Sequence, residues 1–441
     1  MSASAKNIAE RTRRRVTLRL MPFLVLVYVM AFLDRANIGV AKLQMQGALG
    51  LTDEIIGFGS GVFFVGYFLL EVPGSLIVER WSARRWLARI MVTWGLMATL
   101  CGFAGMLPVP LSVKTQFYCL RFLLGAAEAG FFPGVVVYLA HWFRAEDRSR
   151  AKAWFMIAQP LAVVVGVPIS RWILETVHWG GLDAWRWVFI LEGLPPVLLG
   201  FITLWFLTDH PVEARWLPDD EKSWLIDELA REERNRVSAG RTSIIAALRQ
   251  PQTALMALSF FLIVTGNQAI LFFLPSITEG MKSISITART VVSILPYICS
   301  VAGILINGYW AHRTGRRRLH AALPMFLAAL SLGSAILAGS NLALEIACLC
   351  LVGLTFQAYL PVFWSMPSEF LGKSAAATAV GIVNSFGNLG GFVGPYLFGY
   401  LRTSTGRFET GLWVLVGFML LAGASTSCIA PPRVASTPRS T

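Results

Sequence analysis

The chain has 441 residues, 55% of them hydrophobic and only 14% charged, with a mean hydropathy of +0.61 and a formal net charge of +13. Soluble domains carry roughly 25% charged residues, so this composition excludes an ordinary soluble enzyme and indicates a chain built into a bilayer.

Runs of about 20 apolar residues recur along the whole sequence, each long enough to cross a hydrocarbon layer of roughly 30 Å at 1.5 Å per helical residue. They predict twelve membrane-spanning helices, near 18–40, 55–78, 86–107, 114–141, 151–174, 186–208, 253–278, 289–311, 319–340, 342–366, 374–400 and 409–430. The first follows "RTRRR" in the manner of a secretory signal, but eleven further spans indicate a retained helix. The longest polar interval, 209–252, divides the spans six and six. The expected fold is therefore an all-α membrane protein of two pseudo-symmetric six-helix bundles around a central cavity. Its parts are a tail 1–17, a first bundle 18–208, a linker 209–252, a second bundle 253–430 and a tail 431–441. Within the linker, 218–235 reads as a surface helix, with acids in its first turn, arginines in its last, and Trp224, Leu225, Ile226 and Leu229 on a helical spacing.

Most of the 38 Lys and Arg fall in the tails and in alternate loops on the side of the N-terminus. That asymmetry places both termini in the cytoplasm of a cytoplasmic (inner) membrane, so the basic balance concerns topology and lipid headgroups, not nucleic acid. The six cysteines lie within or at the ends of apolar spans, without ligand spacing, and imply neither a disulfide framework nor a metal site. No Walker A pattern and no nucleophile–base constellation is visible, so neither an enzyme nor a cofactor is expected.

The halves share a repeat. "SLIVERWSARR" (75–85) follows the second span of the first bundle, and "GYWAHRTGRRR" (308–318) follows the second span of the second. These two copies resemble the loop motif of the major facilitator superfamily, with Glu79, Arg80, Arg84 and Arg85 in the first copy and His312, Arg313, Arg316 and Arg317 in the second. The resemblance implies that these loops switch contacts between helix ends as a carrier changes state. His312 stands where the family carries an acid.

"FLDRANIG" (32–39), "PGSLIVERWSARRWLARI" (73–90), "LRFLLGAAEAGFFPG" (120–134), "RWVFILEGLP" (186–195) and "WLPDDEKSWL" (216–225) resemble one branch in particular, the anion:cation symporters. Weaker echoes stand in "FWSMPSEF" (363–370) and "GIVNSFGN" (381–388). Drug-exporting facilitators carry a glycine-rich Gly-Pro motif on helix 5, where this chain has "AQPLAVVVGVP" (158–168).

A charge at the bilayer centre costs from about 2.5 kcal/mol upward, so charges in spans face the bundle interior and are paired or line a wet cavity. The deepest here are Asp34, Arg35, Glu71, Arg121, Glu128 and Glu192. Arg121 and Glu128 are seven residues apart, hence on one helix face and about 10 Å apart along the axis, which leaves room for a substrate carboxylate at the guanidinium. Asp34 and Arg35 are consecutive and point about 100° apart, so each is expected to seek a partner on another helix: Glu128 for Arg35, and an arginine or a proton for Asp34. Glu71 and Glu192 read as structural.

The resemblance implies the same roles: Asp34 and Glu128 carry protons, and Arg121 holds the substrate. It also implies that Tyr67, Gln159, Trp364 and Asn384 line the cavity, and Arg35 is a further candidate for contact with the substrate. The expected function is proton-coupled uptake of a small organic anion by alternating access, with a monomeric carrier, no cofactor, and the proton, the anion and the bilayer as its only partners. An efflux carrier or exchanger of organic solutes or drugs, and sodium coupling, stand as alternatives.

Overall fold

The computed structural model describes residues 3–238, 250–338, 341–367 and 373–429; part of the linker (239–249), the 431–441 tail and the end of "FWSMPSEF" lie outside the described residues. Among the described residues the regular elements are helices, and no strand is present. In the first half they are α1 (Ala3–Leu49), α2 (Asp53–Arg80), α3 (Ala83–Cys101), α4 (Val113–Glu128), α5 (Phe131–Trp142), α6 (Ala145–Met156), α7 (Ala158–Thr176) and α8 (Ala184–Phe206). The linker carries α9 (Asp219–Ser238). The second half holds α10 (Pro251–Glu279), α11 (Ile286–Thr314), α12 (Arg317–Leu337), α13 (Leu342–Phe356), α14 (Leu360–Phe363), α15 (Lys373–Asn388), α16 (Gly390–Thr405) and α17 (Phe408–Ser427).

Ten helical stretches among the described residues are long and apolar enough to cross a membrane. The other two of the twelve predicted spans fall short for local reasons. Arg84, Arg85 and Arg89 crowd the start of α3, and the eleventh span is broken at Leu389 into α15 and α16, of 16 residues each. The fourth span is likewise divided, because Gly130 adopts φ 83°, a conformation that favours glycine, between α4 and α5.

α1 is far longer than the predicted span 18–40. With no breaker between the tail and the apolar run, the helix continues from Ala3 to Leu49, and its basic turns are held by acids elsewhere. Arg11 lies 2.6 Å from Asp220, Arg15 3.5 Å from Glu221 and Arg13 3.4 Å from Asp147. The expected linker helix is α9, tied to α6 by Arg148–Glu232 at 2.9 Å and by the guanidinium of Arg144, 5.2 Å from the Trp224 ring.

The halves repeat one packing scheme. α2 packs on α4 and α3 on α8 in the first; α11 packs on α13 and α12 on α17 in the second. Glycines bring the paired helices close: a Cβ at Gly66 or Gly125 would collide with the backbone across the α2–α4 contact, and one at Gly303 or Gly353 would do so across α11–α13. The same device joins the halves, where α2 meets α16 with Gly57, Gly61 and Gly399 against the facing backbone. The glycines of the eleventh span are packing residues, Gly390 and Gly394 against α10 and Gly391 against the Phe64 ring of α2.

Candidate transport site

The close α2–α4 contact sets the site. Arg121, in the middle of α4, is fully buried. None of its three guanidinium nitrogens has an oxygen acceptor among the described residues; the Cys101 thiol and the Phe63 ring, 5.4 Å away, stand beside it. Two turns on, Glu128 is also buried and accepts from Arg35 Nη2 of α1 at 2.5 Å. The Arg35 guanidinium lies over an aromatic cradle, 5.0 Å from the ring of Phe32 and 5.3 Å from those of Phe63 and Tyr67. The pairing of Arg35 with Glu128 is thus formed, and Arg121 is left as a desolvated cation without a counter-ion in hydrogen-bonding contact.

Among the described residues no arginine donates a hydrogen bond to Asp34. Its Oδ2 accepts from Trp94 Nε1 of α3 at 2.5 Å and its Oδ1 from Asn37 Nδ2 at 3.4 Å. Trp94 was not legible as a site residue, because one more tryptophan among 15 carries no signal of its own. Glu192 of α8 accepts from Ser170 of α7 at 2.6 Å.

Glu71, read as structural, lies where the two halves touch. It is 4% exposed and accepts from Asn384 Nδ2 at 2.7 Å and from Asn388 Nδ2 at 3.4 Å, both on α15 of the other half. Tyr67, one turn before it, is buried against Arg35. Gln159 is half-buried at the start of α7. Trp364 follows α14 and packs edge-on against Phe260 of α10, with ring centroids 4.8 Å apart. The structure therefore groups Arg35, Tyr67, Glu128 and, through Glu71, Asn384; among the described residues Gln159 and Trp364 make no hydrogen bond or ring contact with that group.

The loop motifs behave differently in the two halves. The side chains of Glu79 and Arg80 lie outside the described residues. Arg84 is anchored by Asp209, just after α8, which accepts from the Arg84 backbone N–H at 2.8 Å and from Ser82 Oγ at 2.6 Å; Arg85 is exposed. In the second copy His312, Arg313 and Arg316 are exposed and Arg317 is half-buried. The turn is held instead by a neutral network, with His320 2.9 Å from both Asn307 and Thr314, and Asn307 Nδ2 donating to Ala358 O at 2.7 Å.

On the face away from the termini, the halves are closed. α1 packs against α10 and α7 against α11, a Cβ at Gly39 would collide with the Phe272 carbonyl, and Ala36, Val163 and Val167 line one narrow space with Leu271, Leu274, Ser293 and Tyr297. Around this apolar seal Asp53 pairs with Lys42 at 2.5 Å and with Arg402 of α16 at 3.1 Å, while Glu279 at the end of α10 pairs with Arg171 of α7 and, at 3.2 Å, with Arg289 of α11. These gate residues were missed. Their signal was charge at span ends on the face that is otherwise poor in Lys and Arg.

Comparison with known proteins agrees with this architecture. The family model described as "Major Facilitator Superfamily" matches residues 24–395 and 256–441. A "Putative tartrate transporter" of Agrobacterium vitis is 40% identical over 422 residues, covering 95% of each chain. A "Quinolone resistance transporter" of Acinetobacter baumannii is 35% identical, covering 92% of each. Among solved structures, the inward open conformation of the xylose transporter XylE from E. coli superposes with a TM-score of 0.74 at 15% identity, covering 95% of this chain and 97% of that one, a likeness of fold alone. The chain is a multi-pass membrane transporter, not an enzyme, and it belongs to the major facilitator superfamily, in the anion:cation symporter branch that its sequence motifs resemble.

Proposed function

We propose that the protein takes up a small organic anion, a carboxylate, together with protons across the bacterial cytoplasmic membrane by alternating access. The observation that carries this reading is Arg121: a fully buried guanidinium without an oxygen acceptor among the described residues. Burying an ion costs several kcal/mol unless a partner repays it, and a planar fork of N–H donors fits a carboxylate bidentately. The printed name of the tartrate relative supports the same class of substrate.

In this mechanism Glu128 and Asp34 are the proton sites. A proton on Glu128 dissolves its bond to Arg35, and the anion at Arg121 restores charge balance in the bundle, so the loaded carrier reorients as an electrically compensated unit. With both termini cytoplasmic, as the distribution of Lys and Arg argues, the closed face is external. Each unit charge gains roughly 2.3 kcal/mol per 100 mV. A monoanion driven by voltage therefore needs more than one proton, because one proton with one monoanion is electroneutral.

The quinolone-resistance relative favours a second reading, efflux of an organic solute in exchange for protons. Arg121 and Arg35 oppose it for cationic cargo. Uptake of a panel of carboxylates into proteoliposomes separates the two readings. Accumulation driven by an inward proton gradient, unaffected by sodium and abolished by Arg121→Ala, is expected; substrate-independent proton leak, or extrusion of organic cations, overturns the uptake reading.

A further inference from the structure

Asn384 and Asn388 are four residues apart on α15 and so project from one helix face. Both donate to one carboxylate, Asn384 to Oε1 of Glu71 at 2.7 Å and Asn388 to Oε2 at 3.4 Å. Each oxygen of a buried carboxylate thus has its own donor. The second half contains a built carboxylate-binding site, and a side chain of the first half fills it.

The donors are neutral. Among the described residues Glu71 has no ion pair, and its two asparagine donors are amides. Amides satisfy a carboxylate without the full Coulombic attraction of a guanidinium, so its replacement by another carboxylate exchanges like for like. Arg121, by contrast, is a cationic carboxylate site on the other half. The two halves therefore present two carboxylate sites of different charge, one with no oxygen acceptor among the described residues and one occupied by the protein's own acid.

We propose that Glu71 is a built-in stand-in for the second carboxylate of a dicarboxylic substrate, displaced from Asn384 and Asn388 when the substrate binds between them and Arg121. This rests on the reading of Arg121 as the anion site. It also supplies a link between binding and protons. The displaced Glu71 turns toward Arg35, whose guanidinium is already paired with Glu128, and the competition draws Arg35 away and frees Glu128 to take a proton. A substrate with a single carboxylate leaves Glu71 in place and the link idle.

The test is equilibrium binding of tartrate and of its monoamide, equal in size but one carboxylate short, to the purified full-length chain in detergent. Wild-type protein is expected to bind tartrate about tenfold more tightly than the monoamide, the scale of one hydrogen-bonded charged group. Asn388→Ala is expected to bring that ratio towards one by weakening tartrate alone. Glu71→Ala is expected to tighten tartrate several-fold and leave the monoamide unchanged, with melting temperatures of both variants confirming that they fold. Equal binding of the two probes by wild type, or a loss of both in equal measure in either variant, overturns the proposal. If wild type binds monocarboxylates through Arg121 but not tartrate, the stand-in role falls while the anion-carrier reading stands; if it binds no carboxylate at all, both fall.

Discussion

Arg35 Nη2 lies 2.5 Å from Glu128 Oε1, so a cation of α1 and an acid of α4 neutralise each other inside the first bundle while Arg121, two turns before Glu128 on the same helix, has no oxygen acceptor among the described residues. Removing one partner of such a pair is not symmetrical with filling the other site, and that asymmetry makes the roles separable.

Glu128→Gln keeps a hydrogen-bond acceptor for Arg35 but cannot take up or release a proton. Accumulation driven by a pH gradient is expected to fall to a concentration ratio near one, while counterflow exchange of internal for external anion stays within about tenfold of wild type, the span of about 1.4 kcal/mol. The check is uptake and counterflow in the same proteoliposomes. Retained accumulation, or loss of both activities, would remove Glu128 from the proton path.

Arg121→Met replaces a buried cation, which has no oxygen acceptor among the described residues, by the longest unbranched apolar side chain. Such replacements are often neutral or stabilising, so the melting temperature is expected to hold or rise while anion binding weakens by about 100-fold, the loss of a charge-assisted bidentate contact of roughly 3 kcal/mol. A variant that binds normally, or one that unfolds, would make Arg121 a structural residue.

The fold and half of this site were legible because the bilayer enforces a simple code: a run of apolar residues is a span, and a charge within it needs a reason. Arg121, Glu128 and Arg35 announced themselves by that rule, and their spacing on two helices anticipated which pair would form. What the code does not carry is contact across the chain. Trp94 as the donor to Asp34, and Asn384 and Asn388 as donors to Glu71, depend on packing between elements 60 and more than 300 residues apart in sequence. The glycines were visible as small-residue patterns, whereas which backbone each admits, α2 for Gly125 or α10 for Gly390, is decided by the whole bundle.

Asp209 shows the same limit outside the site. It reads as the first residue of a polar linker, yet its carboxylate accepts from the Arg84 N–H and from Ser82 Oγ at the start of α3, and so caps that helix from the end of α8. Asp209→Ala is expected to cost about 1–2 kcal/mol, as loss of a helix N-cap does, and to lower the melting temperature in detergent by a few degrees. Asp209→Asn, which keeps an acceptor oxygen, should recover part of it. A cap that makes no difference to melting would leave Asp209 as surface charge.

The gate on the face away from the termini rests on an acid in an unfavourable place. Glu279 ends α10, where the helix dipole disfavours a negative charge, and it is held there by Arg171 of the first half and Arg289 of the second. Glu279→Gln leaves those two guanidinium groups facing each other across the seam between the halves, with partial shielding that keeps their repulsion from being fully screened. The population open to that face is expected to rise several-fold. Spin labels at Val109→Cys, on the loop before α4, and Leu344→Cys, in the first turn of α13, both exposed and on different halves at that face, measure the opening in a chain whose exposed Cys119 and Cys428 are serine. A longer distance component should appear in Glu279→Gln and, more weakly, in Glu279→Asp, which keeps the charge on a shorter arm. An unchanged distance distribution in the glutamine variant would show that the apolar seal of Ala36, Val163, Leu271 and Leu274 holds this face shut without the ion pairs.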